Sequence, residues 1–268
     1  MIQLALCQRW LGGRSTYRPS GEPIVTARYE VAEIPDDRTA KRFVLEHHYS
    51  GSYPAARVRI GLYESSALVG VAVFSVPASP GVITTCLPCG LDEAVELGRF
   101  VLLDRVPANG ETWLLARCFE LLRRHGIVGV VSFSDPFPRR TAEGKRIFAG
   151  HVGTIYQAHN ARYLGRGTAR TLRLLPNGVT FSDRAASKVR SGDKGCRYSA
   201  AQLERWGAPA LTEGASTAER IAWLATWRSR LTRGVRHPGN HKYVWGLTRA
   251  VTKRLDESLP YPKQVDTP

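Results

Sequence analysis

The sequence predicts a mixed α/β fold (α+β in its connectivity), a mixed central sheet flanked by helices, with a basic C-terminal helical extension. Three observations predict it. Segments with strand and helix periodicity follow one another as β-α-β-β-β-α-β-α-β up to about residue 175. The composition, 43% hydrophobic and 23% charged over 268 residues, is that of a globular chain. From Val179 the character changes to closely spaced cations and a Trp-containing helical stretch. The organisation read from this is a catalytic-size domain over 1–178, with residues 179–268 packed on it as an extension that contacts nucleic acid.

Each element has a local reason. Residues 23–31 alternate well enough for a strand. Asp36 and Asp37 offer an N-cap to a helix over 37–48, with Ala40, Phe43 and Val44 at helical spacing and Gly51 ending it. Residues 58–63 and 67–76 read as a hairpin turning at Glu64-Ser65-Ser66. Residues 94–103 form a further strand. After Asn109-Gly110, residues 111–125 gather Leu114, Leu115, Cys118, Leu121 and Leu122 on one helix face, and Gly126 stops it. Residues 127–133 are a buried-type strand. A helix starts near Gly153 and breaks at Gly165, and 168–175 form the last strand of the sheet. Residues 218–231 are helical. The final dozen residues, with three prolines, are expected to be a flexible end.

A net charge of +15 and a pI of about 10.1 imply a polyanionic partner, double-stranded DNA first. Membrane binding is the weaker expectation, because the charge is spread along the chain and no apolar run is long enough to cross a bilayer. The apolar start, residues 1–10, does not fit a secretory signal, so a cytoplasmic location is expected. Candidate phosphate contacts are Arg139, Arg140, Lys145 and Arg146 in a basic segment, then Arg184, Lys188, Arg190, Arg197 and Lys242. Five scattered cysteines argue against a disulfide framework. Cys86-Leu-Pro-Cys89 has metal or redox spacing without a second pair, and reads as two small thiols in a turn.

Reactive residue types cluster at four places. His47-His48-Tyr49-Ser50 closes the first helix, where histidine also complements the helix dipole. Arg99 lies inside an apolar strand and needs a partner or an anionic ligand unless it faces solvent. Ser134 and Asp135 end the central strand, where ligands collect in open sheets; Asp135-Pro136 is also an ordinary strand terminator. Gly150 to Gln157 approaches a helix N-terminus that offers free N–H groups, with Tyr156 in its first turns.

Taken together, His48-Tyr49, Glu96-Leu-Gly-Arg-Phe100, Phe133-Ser-Asp-Pro136, the run His151 to Asn160 and Tyr163-Leu-Gly165 resemble the Mom family of phage DNA-modification proteins, over roughly residues 40 to 200 and the basic tail. That family is similar to the GNAT acetyltransferase fold. The resemblance implies conversion of adenine in DNA to its N6-carbamoylmethyl (acetamido) form, which protects phage DNA from restriction. It implies catalytic positions at His48, Tyr49, Arg99, Asp135 and Tyr156, with Ser134 added. His48, Asp135 and His151 would make a two-histidine, one-carboxylate set suited to iron if they converge, and the resemblance points the same way.

Two departures from the pattern matter. Acetyltransferases of that fold cradle the donor pyrophosphate in a Q/R-x-x-G-x-G/A loop, whereas Arg105 to Thr112 holds a single glycine here. The donor is therefore either an acyl-CoA or a glycine unit on an aminoacyl-tRNA-like carrier, which would make tRNA a partner. The second departure is the basic insertion over 137–148. On this reading the base is extruded from the duplex, Tyr49 or Tyr156 stacks on it, Asp135 or else His48 takes a proton, and Arg99 holds an anionic group. The rival readings are an ordinary N-acetyltransferase acting on a small amine or protein, and a non-enzymatic nucleic-acid-binding protein.

Overall fold

The computed structural model describes residues 6–265. Residues 1–5 of the apolar start, and the last three residues, lie outside the described range. The chain divides into two compact units. The first holds residues up to 136, 150–167 and 240–265; the second holds 137–149 and 168–239. The boundary expected at 178/179 does not coincide with this division. The basic insertion and the strand expected at 168–175 belong to the second unit, and residues 240–265 return to the first.

The first unit begins with a hairpin that was not expected, β1 (Leu6–Leu11) and β2 (Arg14–Pro19), turning at Gly12-Gly13 with both glycines at positive φ. The glycine pair is a hairpin signal. The strand expected at 23–31 is a short helical turn followed by β3 (Tyr29–Glu33). Helix α1 (Asp37–His47) is capped by the Asp36 carboxylate accepting from the Thr39 N–H at 2.9 Å. Strands β4 (Ala56–Glu64) and β5 (Ala67–Ser75) form the expected hairpin, with Ser65 and Ser66 both at positive φ. Helix α2 (Gly81–Thr84) leads to β6 (Ala94–Leu102), α3 (Gly110–Arg124) and β7 (Gly129–Ser134).

The hairpin β8 (Arg139–Arg140) and β9 (Arg146–Phe148) lies in the second unit. Back in the first unit, α4 (Thr154–Ala158) is only five residues long, and residues expected to prolong it are instead β10 (Arg162–Arg166). Asn160, at φ 55°, ends the turn and frees Ala161 to pair its N–H with the Tyr156 carbonyl. The second unit continues with β11 (Arg170–Leu174), α5 (Asp183–Ser191), α6 (Cys196–Glu204), α7 (Thr217–Leu231) and β12 (Arg233–His237), which pairs with β11. The chain closes in the first unit with β13 (His241–Gly246) and α8 (Arg249–Arg254).

The first unit's main sheet has seven strands in the order β10-β13-β7-β6-β5-β4-β3, antiparallel except between β6 and β7. Helix α3 buries Leu114, Leu115, Cys118, Phe119 and Leu122 on one face, against Val58, Ile60, Phe74, Val95 and Tyr243 among others. On the other face α1 packs Ala40, Phe43 and Val44 against Val71, Val73 and Val101, while α2 and α8 cover Val131 and Val244. Cys86 and Cys89 belong to that last cluster as free thiols. Within the stretch expected to be a flexible end, two described residues are tied down: Leu259 N–H donates to the Tyr163 carbonyl at 2.9 Å, and Tyr261 Oη to the Ala161 carbonyl at 2.6 Å. The second unit has its own core, in which α5, α6 and α7 surround Phe181, Val189, Leu203 and Leu224. Among the described residues no helix is long and apolar enough to cross a membrane.

Candidate functional site

The site begins where two neighbouring strands stop pairing. The parallel register of β6 and β7 ends at Glu96 opposite Val131, although both strands continue. Beyond it the Ser132 hydroxyl donates to the Leu97 carbonyl at 3.0 Å. On its other edge β6 carries a bulge, because Leu97 faces Phe74 and Arg99 faces Val73 with Gly98 left over. A Cβ on Gly98 would come within 2.6 Å of Ser75 Oγ, so a side chain does not fit there. These features open a cavity of about 220 Å³ in the first unit. Its walls are aromatic: Trp10 from β1, His48 and Tyr49 after α1, Phe100 and Phe133 from the strands, and His151 and Tyr156 from the α4 approach.

His48 caps the C-terminus of α1 and is buried, at 7% exposure. The Ser50 N–H donates to its Nδ1 at 3.1 Å, which assigns the ring proton to Nε2. Burial first, then the Arg99 and His151 charges, hold its pKa well below 6.5. His48 is therefore a neutral ring presenting a donor, which disfavours it as the proton acceptor. The Tyr49 ring lies 4.3 Å from that of His48 and 4.4 Å from that of Trp10, and its hydroxyl reaches His151 Nε2 at 3.2 Å. Its faces have neighbours already, which weakens the expectation that Tyr49 stacks on a base.

Tyr156 is buried against Tyr243 and Trp245, and burial raises its pKa. It is seated by Gly153, which sits at φ +73° and whose missing Cβ would meet Tyr156 Cδ2 at 2.7 Å. The His-Val-Gly-Thr run thus has a packing reason as well as a positional one. Arg99 donates through Nε to the Ser52 carbonyl at 2.8 Å and through Nη2 to Ser52 Oγ at 2.7 Å. Its guanidinium, expected to hold an external anion, is engaged within the chain. Ser134 is fully buried under Gly153 and does not line the cavity. Asp135 is half-buried just past β7, and its carbonyl accepts the His151 N–H at 2.8 Å, yet it too lies outside the lining.

Sequence reasoning missed a second group. Arg9 on β1 is 1% exposed; its Nη1 donates to the Leu103 and Val106 carbonyls at 3.1 Å each, and Nη2 to the Pro107 carbonyl at 3.0 Å. Arg9 Nε lies 2.8 Å from Glu111 Oε1, an ion pair whose N–H is not aligned on that oxygen. Cys7 donates to Glu111 Oε2 at 3.2 Å, and its thiol is pushed up to about 12 by burial and then by that carboxylate. Burial raises the Glu111 carboxyl, with Arg9 opposing. Cys7, Arg9 and Glu111 all line the cavity, and Glu111 is the one carboxylate among its lining residues. The signal was a lone arginine in an apolar start, which had no reason to be there unless paired.

The loop before α3 is already satisfied. The Ala108 N–H donates to Glu22 Oε2 and the Asn109 N–H to the Glu22 carbonyl, both at 3.1 Å, while Arg18 holds that carboxylate at 2.7 Å. A carboxylate thus stands on a loop N–H of the kind a donor pyrophosphate would use.

The expected iron set is corrected. Among the described residues no three His, Cys, Asp or Glu side chains converge to hold a metal. The Nδ1 of His48 takes the Ser50 N–H, and His151 Nε2 meets the Tyr49 hydroxyl.

The expected phosphate contacts divide between the units. Arg139 lies over the Phe148 ring at 4.2 Å and Arg140 donates to the Gly144 carbonyl, while Lys145 and Arg146 are exposed. Arg184 and Arg190 are exposed on α5 and Lys188 is half-buried. Arg197 is committed to the Leu211 carbonyl at 2.7 Å and to Glu204 at 3.3 Å. Lys242 belongs to the first unit, half-buried on β13 opposite Phe133, and not to a basic tail.

Among solved structures the chain is similar to a tandem GNAT protein from the clavulanic acid biosynthesis pathway, at 11% identity and TM-score 0.37, covering 75% of this chain and 65% of that one. It is similar to the aminoglycoside 6'-N-acetyltransferase of Enterococcus faecium, at 11% identity and TM-score 0.34, covering 56% and 92%. An N-acetyltransferase of Staphylococcus aureus gives 10% identity and TM-score 0.30, covering 71% and 68%. Likeness at these TM-scores has no bearing on the reaction. No curated protein matches the chain. The model of the Mom protein family matches residues 28–263, a span that takes in every wall of the cavity except the part built by residues 7–10 and 20–21. The chain belongs to the Mom protein family.

Proposed function

We propose that this protein is a transferase that converts adenine in phage or phage-derived DNA to N6-carbamoylmethyladenine and so shields that DNA from restriction. Family membership supports a role in phage DNA modification. The observation that carries the reading is the small cavity with aromatic walls, a container for one flat heterocycle. Sites for larger ligands run to roughly 300–1,000 Å³. The target nitrogen is inaccessible in a duplex, so the base is extruded into such a container.

In the reaction the exocyclic N6 loses a proton and bonds the methylene carbon of the donated glycine unit. The C–N bond of the glycine amine breaks, that nitrogen bonds the carbonyl carbon to make the amide, and the ester to the carrier breaks so that the carrier leaves as its protonated hydroxyl. The N6 lone pair is delocalised into the ring, so a positioned base assists. Asp135 is the base in this proposal, and Glu111 is the alternative because it lines the cavity. His48, neutral with its proton on Nε2, orients a carbonyl or ring nitrogen by donating to it. Tyr156 lines the inner wall, Arg99 behind it holds Ser52, and Tyr49 ties His48 to His151. The donor is an acyl-CoA or a glycine unit on an aminoacyl-tRNA-like carrier. Two points favour the second. Glu22 occupies the loop N–H that a CoA pyrophosphate would take. An acetyl group has no nitrogen, whereas a glycyl unit contains the same atoms as carbamoylmethyl.

The test is mass spectrometry of nucleosides from plasmid DNA of cells that express the chain. A new adenosine heavier by an acetamido group, lost with Asp135→Asn or with Glu111→Gln, supports the reading and chooses the base. Ordinary nucleosides beside abundant folded protein would sink it.

A further inference from the structure

We propose that the second unit carries a built phosphate site, a cleft that seats a backbone phosphate of duplex DNA between Arg173, Arg190 and Arg228. The inference rests on the DNA reading above and adds to it a specific place of contact. The cleft has a volume of about 250 Å³ and lies wholly within the second unit, between β11, α5 and α7. Arg173 comes from the strand, Arg190 from the last turn of α5, and Arg228 from the last turn of α7.

Three guanidinium groups on one small concavity repel one another and are costly without a counter-charge. The chain supplies little. Asp183, 75% exposed, holds its Oδ1 3.6 Å from one nitrogen of Arg228. Among the described residues the Arg173 and Arg190 guanidiniums have no ion pair and no hydrogen bond. Neighbouring Arg220 shows what an arginine with a structural task looks like there. It donates to the Arg190, Ser191 and Ala215 carbonyls and to Thr217 Oγ1, and so fastens the end of α5 to α7. That clamp fixes the backbone that carries Arg190, which prepares the cleft before any ligand arrives. The remaining walls are Ile221, Leu224, Ala225 and Ser229, with Ile221 47% exposed. An anion with an apolar flank, such as a phosphodiester with its deoxyribose, matches charged and apolar walls together.

The wider surface agrees. Over 137–149 and 168–239 there are seventeen Lys and Arg against six Asp and Glu. Dispersed charge would attract DNA without any particular contact; the cleft differs in offering two uncommitted guanidiniums beside a third held only by an exposed carboxylate.

The test is the salt dependence of duplex binding by the full chain, read by fluorescence anisotropy over a range of NaCl. Each lost phosphate contact lowers the slope of log K against log salt by about 0.9. The Arg173→Gln/Arg190→Gln variant loses that one contact and is expected to lower it by about 0.9 and to weaken binding on every sequence, including a duplex of G·C pairs only. The Arg190→Lys variant is expected to keep most of the slope. Lys253→Gln/Arg254→Gln, exposed charges of the first unit, is the control and is expected to leave it nearly unchanged. A wild-type slope in the cleft variant overturns the proposal. So does an equal loss in the control, which would mean diffuse charge, or a loss confined to duplex RNA. A loss of inorganic phosphate binding in the cleft variant with DNA binding intact also overturns it. Because the G·C duplex holds no adenine, this result stands or falls separately from the base-modification reading.

Discussion

The two units solve opposite electrostatic problems. The described part of the first unit holds twenty-one Lys and Arg against sixteen Asp and Glu, and the charges in and beside its cavity are spent on one another or on chain oxygens. Arg9 is satisfied by three carbonyls and Glu111, and Arg99 by Ser52. The second unit has an excess of eleven positive charges over its described residues, and Arg173 and Arg190 are left uncommitted. A cavity that must hold neutral rings and a shifted proton cannot also be the place where affinity for a polyanion resides, because stray charge would alter every pKa within it. Separation into a neutralised cavity and an unneutralised surface follows.

The comparison breaks most severely if Arg9 is dispensable. Arg9→Leu leaves the buried Glu111 carboxylate unpaired and is expected to cost about 3–5 kcal/mol, read as a fall in the chemical-denaturation midpoint. Pairing it with Glu111→Leu should recover much of that loss. Full stability in the single variant would show that the pair does not neutralise the cavity. Next is Gly153→Ala, expected to cost about 1–3 kcal/mol because it forces a positive φ and crowds Tyr156. Modified adenosine should fall with it, even at temperatures where the protein is folded.

A smaller effect belongs to His48. Its folded pKa is depressed, so the unfolded chain binds the proton more readily. Its contribution is present above the unfolded value of about 6.5 and is lost as pH falls below it toward the folded value. His48→Gln should flatten that part of the stability profile between pH 7 and 5. An identical profile would mean the ring is charged in the fold. The smallest expected stability change is that of Arg190→Gln, within about 0.5 kcal/mol, since the side chain has no partner to lose. A large change would make Arg190 a structural residue and end the contrast with Arg220.

The sheet was legible because its strands and helices obey local rules. The Asp36 cap, the Ser65-Ser66 turn and the α3 stripe each appear where spacing places them. The last part of the sheet was not, because β13 pairs with β7 across more than a hundred residues and no local pattern reports that. The same distance hid the unit boundary. Of the expected site, His48, Tyr49, His151 and Tyr156 share one cavity, whereas Asp135, Ser134 and Arg99 stand behind its lining. Arg9 and Glu111 were invisible as a pair, since a long-range ion pair leaves no periodicity. Trp10 was hidden by the unrecognised hairpin, although Gly12-Gly13 announces its turn.

The most direct measurement of the division between the units is the modified-adenosine content of plasmid DNA as expression of the protein is raised stepwise. Variants in the second-unit cleft should approach the wild-type plateau at high expression, because weaker DNA binding yields to mass action. Asp135→Asn or Glu111→Gln, whichever removes the base, should stay near zero at every level of folded protein. The reverse pattern, a cleft variant that never recovers beside first-unit variants that both do, would contradict the assignment of chemistry to one unit and backbone affinity to the other.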